Sequence, residues 1–220
     1  MAESKTVLST FFVPLTLTFL FSSLVTASYY QDISPTQIGF REEKLTHIHF
    51  YFHEVFSGPK PSLVLALEPL KGKSNAPLPF GSLVVIENPL TVGPELDSIQ
   101  VGKAQGSYLS TAHTEGVDLE LTMSMTFAFL EGKYNGSSIT VLGRNTIAST
   151  VREMPIVGGT GAFRFARGFV QAKTIRVNYE TGDATVEYNV YVFRYSSSFM
   201  SQDSFNDGLQ FMTDPILSNI

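Results

Sequence analysis

The fold is decided by residues 119–145, which read LELTMSMTFAFLEGKYNGSSITVLGRN. From Leu119 to Phe129 the odd-numbered residues are Leu, Met or Phe, and the even-numbered residues are Glu, Thr, Ser or Ala. This period of two predicts a β-strand with one apolar and one polar face. Asn135-Gly136 is expected to form a type I′ turn in which both residues have positive φ, and the β-branched segment 138–142 to return as a second strand. The stretch therefore predicts a β-hairpin.

Further strands are expected on both sides of this hairpin, because short apolar and β-branched segments alternate there with turn residues. The predicted strands are residues 45–55, 62–68, 81–88, 99–112, 146–156, 169–177 and 184–195. The glycine-rich segment 157–168 predicts a turn and a bulge. No segment has a convincing helical period, so an all-β domain of eight or nine strands is predicted, either a barrel or a sandwich. We favour a barrel, because closure removes the edges of the sheet.

The two ends of the chain are predicted to lie outside the domain. Residues 7–25 form an apolar run that follows Lys5 and leads to a small-residue cleavage motif ending at Ala27, which is typical of a secretory signal peptide. A membrane anchor is the alternative, since about 19 apolar residues can span a bilayer, but Pro14 and the lack of a basic flank favour the signal peptide. The predicted segments are a signal peptide (1–27), a flexible arm (28–44), the domain (45–195) and a flexible tail (196–220).

The composition excludes several classes of function. The chain of 220 residues has no cysteine, which excludes disulfides, cysteine nucleophiles and cysteine-ligated metals. A net charge of −5 with few basic clusters argues against a nucleic-acid partner. The 18 phenylalanines suit a large apolar interior, or a pocket for flat apolar ligands. The mature protein is expected to be secreted and to have no membrane segment.

Strand 45–55 carries an acidic residue where an apolar one is expected. Ile48, Phe50, Phe52 and Glu54 share one face of LTHIHFYFHEV, and its three histidines lie on the other. A carboxylate at the end of an apolar stripe predicts that Glu54 faces a cavity. The His-x-His spacing followed by Glu54 is similar to a cupin metal motif, but alternation separates the carboxylate from the histidines. Histidines on the outer face or at a subunit contact are therefore favoured over a metal site.

Other motifs add little chemistry. No GxSxG elbow is present, and the glycines of residues 158–161 are followed neither by a lysine in register nor by a helix, as a phosphate loop requires. Asn135 begins an Asn-Gly-Ser glycosylation sequon at the predicted hairpin tip, although Asn-Gly also suits the turn alone. Glu54, Arg152 and Tyr108 can each be structural. Gathered in a barrel lined by phenylalanine they would form a small-molecule site, and periodicity leaves open whether they converge.

Six blocks of the sequence resemble the plant dirigent protein family. In order along the chain they are LTHIHFYFHEVFSG, FGSLVVIENPLT, VGKAQGSYLS, FLEGKYNGSSITVLGRN, REMPIVGGTGAFRFARG and VEYNVYVFRY. The resemblance covers residues 45–195. It implies an eight-stranded antiparallel β-barrel, usually trimeric, that is exported to the cell-wall space. It also implies binding of phenoxy radicals, made from phenols such as coniferyl alcohol by a separate one-electron oxidase, and stereoselective direction of their coupling without a cofactor.

The resemblance also assigns site residues. The family's acidic residue falls on Glu54, where lignan-forming members commonly have Asp, and its pocket arginine and tyrosine fall on Arg152 and Tyr108. Asn145 stands where lignan-forming members have a second Asp. These departures make the chain more similar to the dirigent-like branch, which includes pterocarpan-forming members that dehydrate isoflavanols.

Roles follow for these residues. Phe50 and Phe52 are predicted to hold the aromatic rings, Glu54 to shuttle a proton and Asn145 to position the substrate. Arg152 and Tyr108 are predicted to hydrogen-bond phenolic oxygens. A dehydratase or a non-catalytic scaffold for lignin deposition are the alternatives to a radical-coupling protein.

Overall fold

The computed structural model describes residues 30–68, 78–112 and 119–197. The chain divides into two compact units, residues 1–33 and 34–220, and residues 30–33 of the first contain no helix or strand. The predicted signal peptide and residues 198–220 of the predicted tail lie outside the described residues. The strands are β1 (Phe40–Glu54), β2 (Leu63–Leu67), β3 (Leu83–Thr91), β4 (Gln100–Ser110), β5 (Glu120–Phe129), β6 (Ser138–Thr146), β7 (Arg152–Thr160), β8 (Arg167–Val177) and β9 (Ala184–Ser197). Short 3-10 turns lie at Pro35–Ile38, Gly132–Tyr134 and Gly161–Phe163.

All nine strands belong to one antiparallel sheet in the order β1-β9-β8-β7-β6-β5-β4-β3-β2. The sheet closes because β1 also pairs with β3, with Tyr51 opposite Thr91 and Phe52 opposite Leu90. Eight strands therefore form a ring, and β2 extends beside β3 as a ninth strand, opposite residues 83–86. The structure confirms the predicted all-β, eight-stranded antiparallel barrel.

The hairpin of β5 and β6 shows why the barrel forms. In β5 the buried residues are Leu121, Met123, Met125, Phe127 and Phe129, and the polar residues between them lie on the outside. The other strands of the ring also turn one face inward, and their buried apolar residues form a single core. Burying such side chains contributes roughly 1.5–3 kcal/mol each, which explains why alternation alone predicts which face of each strand lies inside.

The predicted turn type at the hairpin tip is wrong. Asn135 has φ −49° and ψ 134°, and Gly136 has φ 77°. The Ser137 N–H donates to the Tyr134 carbonyl at 2.9 Å. These angles are those of a type II turn, in which only the third residue needs a positive φ. The 3-10 turn Gly132–Tyr134 lengthens the connection, so the two-residue loop that requires type I′ does not form.

Two strand boundaries also differ from the prediction. Strand β1 begins at Phe40, because β9 extends to Ser197 and pairs with Phe40, Glu43 and Lys44, which were expected in the flexible arm. The expected strand 146–156 is instead the end of β6, a turn and the start of β7. The glycine-rich segment continues β7 to Thr160, and Val157 bulges there, since Val141 pairs with Ile156 and Thr140 with Gly158. The predicted bulge is confirmed.

The outer face of β1 carries the three histidines, and one of them is buried. His47 and His49 are exposed, whereas His53 is 3% exposed. The His53 Nε2 atom lies 2.7 Å from Thr91 Oγ1, close to an ion pair between Glu95 and Arg176. His53 therefore lies on the expected face of β1, but neighbouring side chains cover it. In the part of the chain that the structure describes, no helix is long and apolar enough to cross a membrane.

Candidate functional site

The antiparallel order brings the predicted polar residues to one end of the barrel. Alternate strands of the ring run in the same direction, so the ends of β1, β4 and β6 lie beside the start of β7. Glu54, Tyr108 and Asn145 occupy those strand ends, and Arg152 is the first residue of β7. All four belong to the inward-facing set of their strands. The convergence that periodicity left open is present in the structure.

Glu54 is a carboxyl group in an apolar interior. It follows Phe50 and Phe52 on the inner face of β1, and these are 0% and 2% exposed. Burial raises the pKa of Glu54 to about 7, while the Arg152 charge and a hydrogen bond from Tyr108 oppose that rise. A carboxyl with this pKa holds and releases a proton near neutral pH, as a general acid or base must.

Arg152 supplies the positive charge at this end of the barrel. Its Nη1 donates to Thr174 Oγ1 at 2.8 Å, and its buried Nε has no hydrogen-bond partner among the described residues. Burial lowers the pKa of Arg152, and the neighbouring Tyr188 and Glu54 act in the opposite direction. A buried guanidinium with a spare N–H is suited to bind a polar ligand atom.

Asn145 lies on the wall next to Arg152. Gly143 on β6 packs against Met154 on β7. Because the two strands are antiparallel, Asn145, two residues after Gly143, is opposite Arg152, two residues before Met154. Asn145 is 4% exposed, and its Oδ1 has no hydrogen-bond partner within the described part of the chain. A buried polar atom that has no partner among the described residues costs stability unless a ligand or water satisfies it.

The floor beneath these polar groups is aromatic. The Phe50 ring centroid lies 5.0 Å from that of Phe127 and 5.8 Å from that of Tyr188, and the Phe52 ring lies 5.6 Å from Tyr188. Phe50 therefore packs inside a ring cluster below the polar groups, and Phe52 lies next to Glu54 along β1. Contact of either ring with a substrate stays a prediction.

Sequence reasoning missed Tyr188 and Thr174. Tyr188 is 2% exposed and interacts electrostatically with both Arg152 and Glu54, and burial raises its pKa. The alternation of β9 could have identified Tyr188, which shares a face with Val186, Val190 and Val192. A tyrosine hydroxyl on a face of valines is as unusual as the Glu54 carboxyl on the apolar face of β1. Thr174 had no such signal, since threonine is common in strands.

Contacts outside the barrel fix the end of β1 that carries Glu54. Asp183 accepts hydrogen bonds from the Phe56 N–H at 2.7 Å, from the Ser57 N–H at 3.0 Å and from the Ser57 hydroxyl at 2.6 Å. These bonds lower the pKa of Asp183 to about 2. The residue before Glu54 is fixed by the His53–Thr91 contact. Glu54 is thus held from both sides.

The glycosylation sequon, the histidine metal motif and a surface cavity lie apart from the polar residues inside the barrel. Asn135 is exposed at the hairpin tip, and its glycosylation stays a prediction. Among the described residues no three His, Asp or Glu side chains lie close enough together to hold a metal ion; His113 lies outside them. A separate surface cavity of about 420 Å³ lies near the β1–β3 junction, lined by Val55, Lys60, Pro61, Ser62, Glu87, Pro89 and Leu96.

The arrangement inside the barrel can move a proton and hold an oxygen. A carboxyl with a pKa of about 7 sits between a phenol and a guanidinium, above a floor of aromatic rings. Such a site binds a flat aromatic ligand by its faces and its polar substituents by hydrogen bonds.

Comparison of the sequence and the fold with known proteins shows which family the chain belongs to. A family model described as Dirigent-like protein matches residues 45–193. Pterocarpan synthase 1 of Glycyrrhiza echinata is 58% identical over 188 residues, which cover 85% of this chain and 98% of that protein. Dirigent protein 7 of Arabidopsis thaliana is 46% identical over 168 residues, covering 76% of this chain and 87% of that protein. The solved structure of the pterocarpan synthase dirigent protein GePTS1 superposes with a TM-score of 0.69 at 56% identity, covering 76% of this chain and 100% of that one. The chain belongs to the dirigent family.

Proposed function

We propose that this dirigent protein dehydrates a hydroxylated phenolic substrate through a quinone methide and closes a new ring stereoselectively. The observation that carries the proposal is the Glu54 carboxyl at the inner end of β1, which is partly buried beside Arg152 and Tyr108 and whose pKa burial raises to about 7. The identity of 58% with pterocarpan synthases of Glycyrrhiza echinata and Glycine max supports the same reaction class, with an isoflavanol as substrate.

The reaction needs proton transfer and no oxidant. Protonated Glu54 gives its proton to the leaving hydroxyl, the C–O bond breaks and water departs. The phenol oxygen conjugated with that carbon loses its proton to solvent and becomes the carbonyl of the quinone methide. A second hydroxyl of the substrate then adds to the exposed carbon and returns a proton to Glu54, while the carbonyl oxygen regains a proton from solvent. The net change is the loss of one water.

Stereoselectivity would come from the fixed pose of the quinone methide. The aromatic floor beneath Glu54 offers one surface for a flat ring, and the polar groups occupy one end of the barrel. A held intermediate presents one face to the attacking hydroxyl, so the geometry that orients the substrate also selects the enantiomer.

Radical coupling is a second use of the same site, and the aromatic floor of Phe50, Phe127 and Tyr188 favours it because it suits two stacked rings. Phenoxy radicals from coniferyl-alcohol-type phenols would come from a separate laccase- or peroxidase-type oxidase, and their coupling would serve lignan biosynthesis. In that case Glu54 would protonate or deprotonate the coupled quinone methide. A wall scaffold without catalysis would need no such carboxyl in the interior.

We further propose that the protein is secreted to the apoplast after removal of residues 1–27, carries a glycan on Asn135 and associates as a homotrimer. The exposed apolar residues Val64, Leu65 and Leu67 of β2 support association, because burying them in a contact would stabilise the assembly. Light scattering at micromolar concentration tests the trimer, and a stable monomer would contradict it.

One experiment separates the reactions. Purified protein is incubated with a panel of isoflavanols and monolignols, with and without a one-electron oxidant, and products are resolved by chiral chromatography. Enantiomerically enriched cyclised product formed without oxidant supports dehydration. Enrichment that appears only with oxidant identifies radical coupling, and racemic product in every case contradicts both.

A further inference from the structure

The interior holds two buried phenols that have different partners. Tyr108 lies on β4 and hydrogen-bonds Glu54. Tyr188 lies on β9, where the positive charge of Arg152 acts on its hydroxyl more strongly than the charge of Glu54 does. The two tyrosines are 4% and 2% exposed, so neither is an ordinary surface residue. Their different partners suggest different tasks in the same cavity.

The strand register places Tyr188 and Arg152 in one row of the inner wall. Arg152 on β7 is opposite Ala172 on β8, and Ala172 is opposite Tyr188 on β9. Ala172 is fully buried, and its methyl group is the only side chain between the two long ones. Arg152 and Tyr188 therefore flank Ala172 on the inner wall, and the Arg152 guanidinium also donates to Thr174 Oγ1, two residues further along β8.

The ring of Tyr188 is held rigidly. It stacks on Phe50 at 5.8 Å with an interplanar angle of 19°, and it meets Phe127 edge-on at 5.3 Å. Phe52 closes a third side at 5.6 Å. A hydroxyl on a ring packed this way keeps its position, which is what a preorganised hydrogen-bond donor requires.

We propose that Arg152 and Tyr188 form a phenolate-binding pair, distinct from the Glu54–Tyr108 pair that transfers the proton. The inference rests on the proposed quinone methide chemistry, in which the phenol oxygen gains negative charge as its proton leaves and loses it as the carbonyl forms. A fixed cation and a fixed O–H donor stabilise that oxygen, and the Arg152 Nε, which has no partner among the described residues, supplies a further N–H. The pair also sets the orientation of the substrate, with its ionisable phenol at Arg152 and its leaving hydroxyl at Glu54.

A binding measurement tests this pair without any turnover. The probe is 4-nitrophenol, whose ionised form absorbs visible light, and the titrations are made in a Glu54→Gln background so that no carboxylate competes. The unmodified pair should bind the phenolate and shift the ionisation of the bound probe to lower pH. Adding Tyr188→Phe should weaken phenolate binding about ten-fold, the size of one charge-assisted hydrogen bond. The matched variant Tyr191→Phe removes a phenol hydroxyl from the outer face of the same strand, where the ring stacks on His47, and should change the affinity by less than about three-fold.

Three results would overturn the proposal: an unshifted probe with the unmodified pair, equal affinity with Tyr188→Phe, or an equally large loss with Tyr191→Phe. Melting temperatures confirm that each variant is folded. If Tyr188→Phe does not fold, Arg152→Gln tests the pair from its other member, since it leaves the ring cluster intact and should abolish the shift of the probe. Because the probe is not turned over, its binding can support the pair even when the protein does not dehydrate the proposed substrate. Dehydration can likewise be observed when the probe shows no phenolate-binding pair.

Discussion

Glu54 at the end of β1 and Arg152 at the start of β7 interact inside the barrel, yet their attraction does not offset the cost of burying the carboxylate. The pKa of Glu54 rises to about 7 because burial outweighs the Arg152 charge and the Tyr108 hydrogen bond. A fully compensated ion pair would instead lower the pKa of the carboxyl. The balance leaves Glu54 able to change protonation state at neutral pH, which is the basis of the proposed proton transfer.

Replacing Arg152 should move this titration. Arg152→Met removes a charge that lowers the pKa of Glu54, so that pKa should rise further above about 7. If protonated Glu54 is the acid, activity falls as pH rises through its pKa, and the alkaline limb of the pH–rate profile should shift to higher pH. Arg144→Met is the matched control, because Arg144 is exposed and pairs with Glu120 outside the barrel. An alkaline limb that stays in place in Arg152→Met would show that Glu54 is not the titrating acid.

His53 should make the protein less stable in mild acid. Burial lowers the pKa of His53, and the Glu95 and Arg176 charges act on it in opposite directions. The unfolded chain therefore takes up the proton more readily than the folded one, so the contribution of His53 is fully present above the ordinary histidine pKa of about 6.5 and is lost as pH falls through its lower folded value. His53→Gln should flatten this acid-side decline in melting temperature.

The matched variant for that measurement is His47→Gln, which removes an exposed histidine from the same strand face. Its melting temperature should follow that of the unmodified chain over the same pH range. If His53→Gln also leaves the decline unchanged, other groups cause the loss of stability.

Gly106 should be required for the pairing of β4 with β5. Its φ is 153°, and an added Cβ would collide with the Ser124 carbonyl and lie 2.7 Å from Met125 Cα. Because the obstacle is backbone, Gly106→Ala should cost about 3 kcal/mol or more of unfolding free energy. Gly58→Ala is the control, since Gly58 also has a positive φ, 82°, but no atom near its added Cβ. It should cost only about 1–2 kcal/mol. Similar denaturation midpoints for the two variants would contradict the steric explanation.

The fold was predictable because a period of two defines the inner and outer faces of each strand. The same alternation placed Glu54 on the inside, and it would have placed Tyr188 there as well. The facing of Asn145 and Arg152 depends on how β6 and β7 pair, and the bulge at Val157 sets that register. A glycine-rich segment indicates that a bulge is present. The shift in pairing register that the bulge causes depends on packing across the sheet, which the sequence of one strand does not specify. The burial of His53 depends in the same way on contacts with residues distant in the sequence, Thr91 and Thr185.

The measurement that tests the account most directly compares the unmodified chain with Glu54→Gln on an isoflavanol, without oxidant, by chiral chromatography. Glutamine keeps the shape and hydrogen-bonding capacity of the side chain and removes its titration. We expect Glu54→Gln to fold and associate as the unmodified chain does and to lose about 10²-fold or more in turnover, while Glu54→Asp retains part of it. A folded Glu54→Gln protein with an undiminished rate and enantiomeric excess would contradict proton transfer by Glu54 and leave a cavity that works by shape alone.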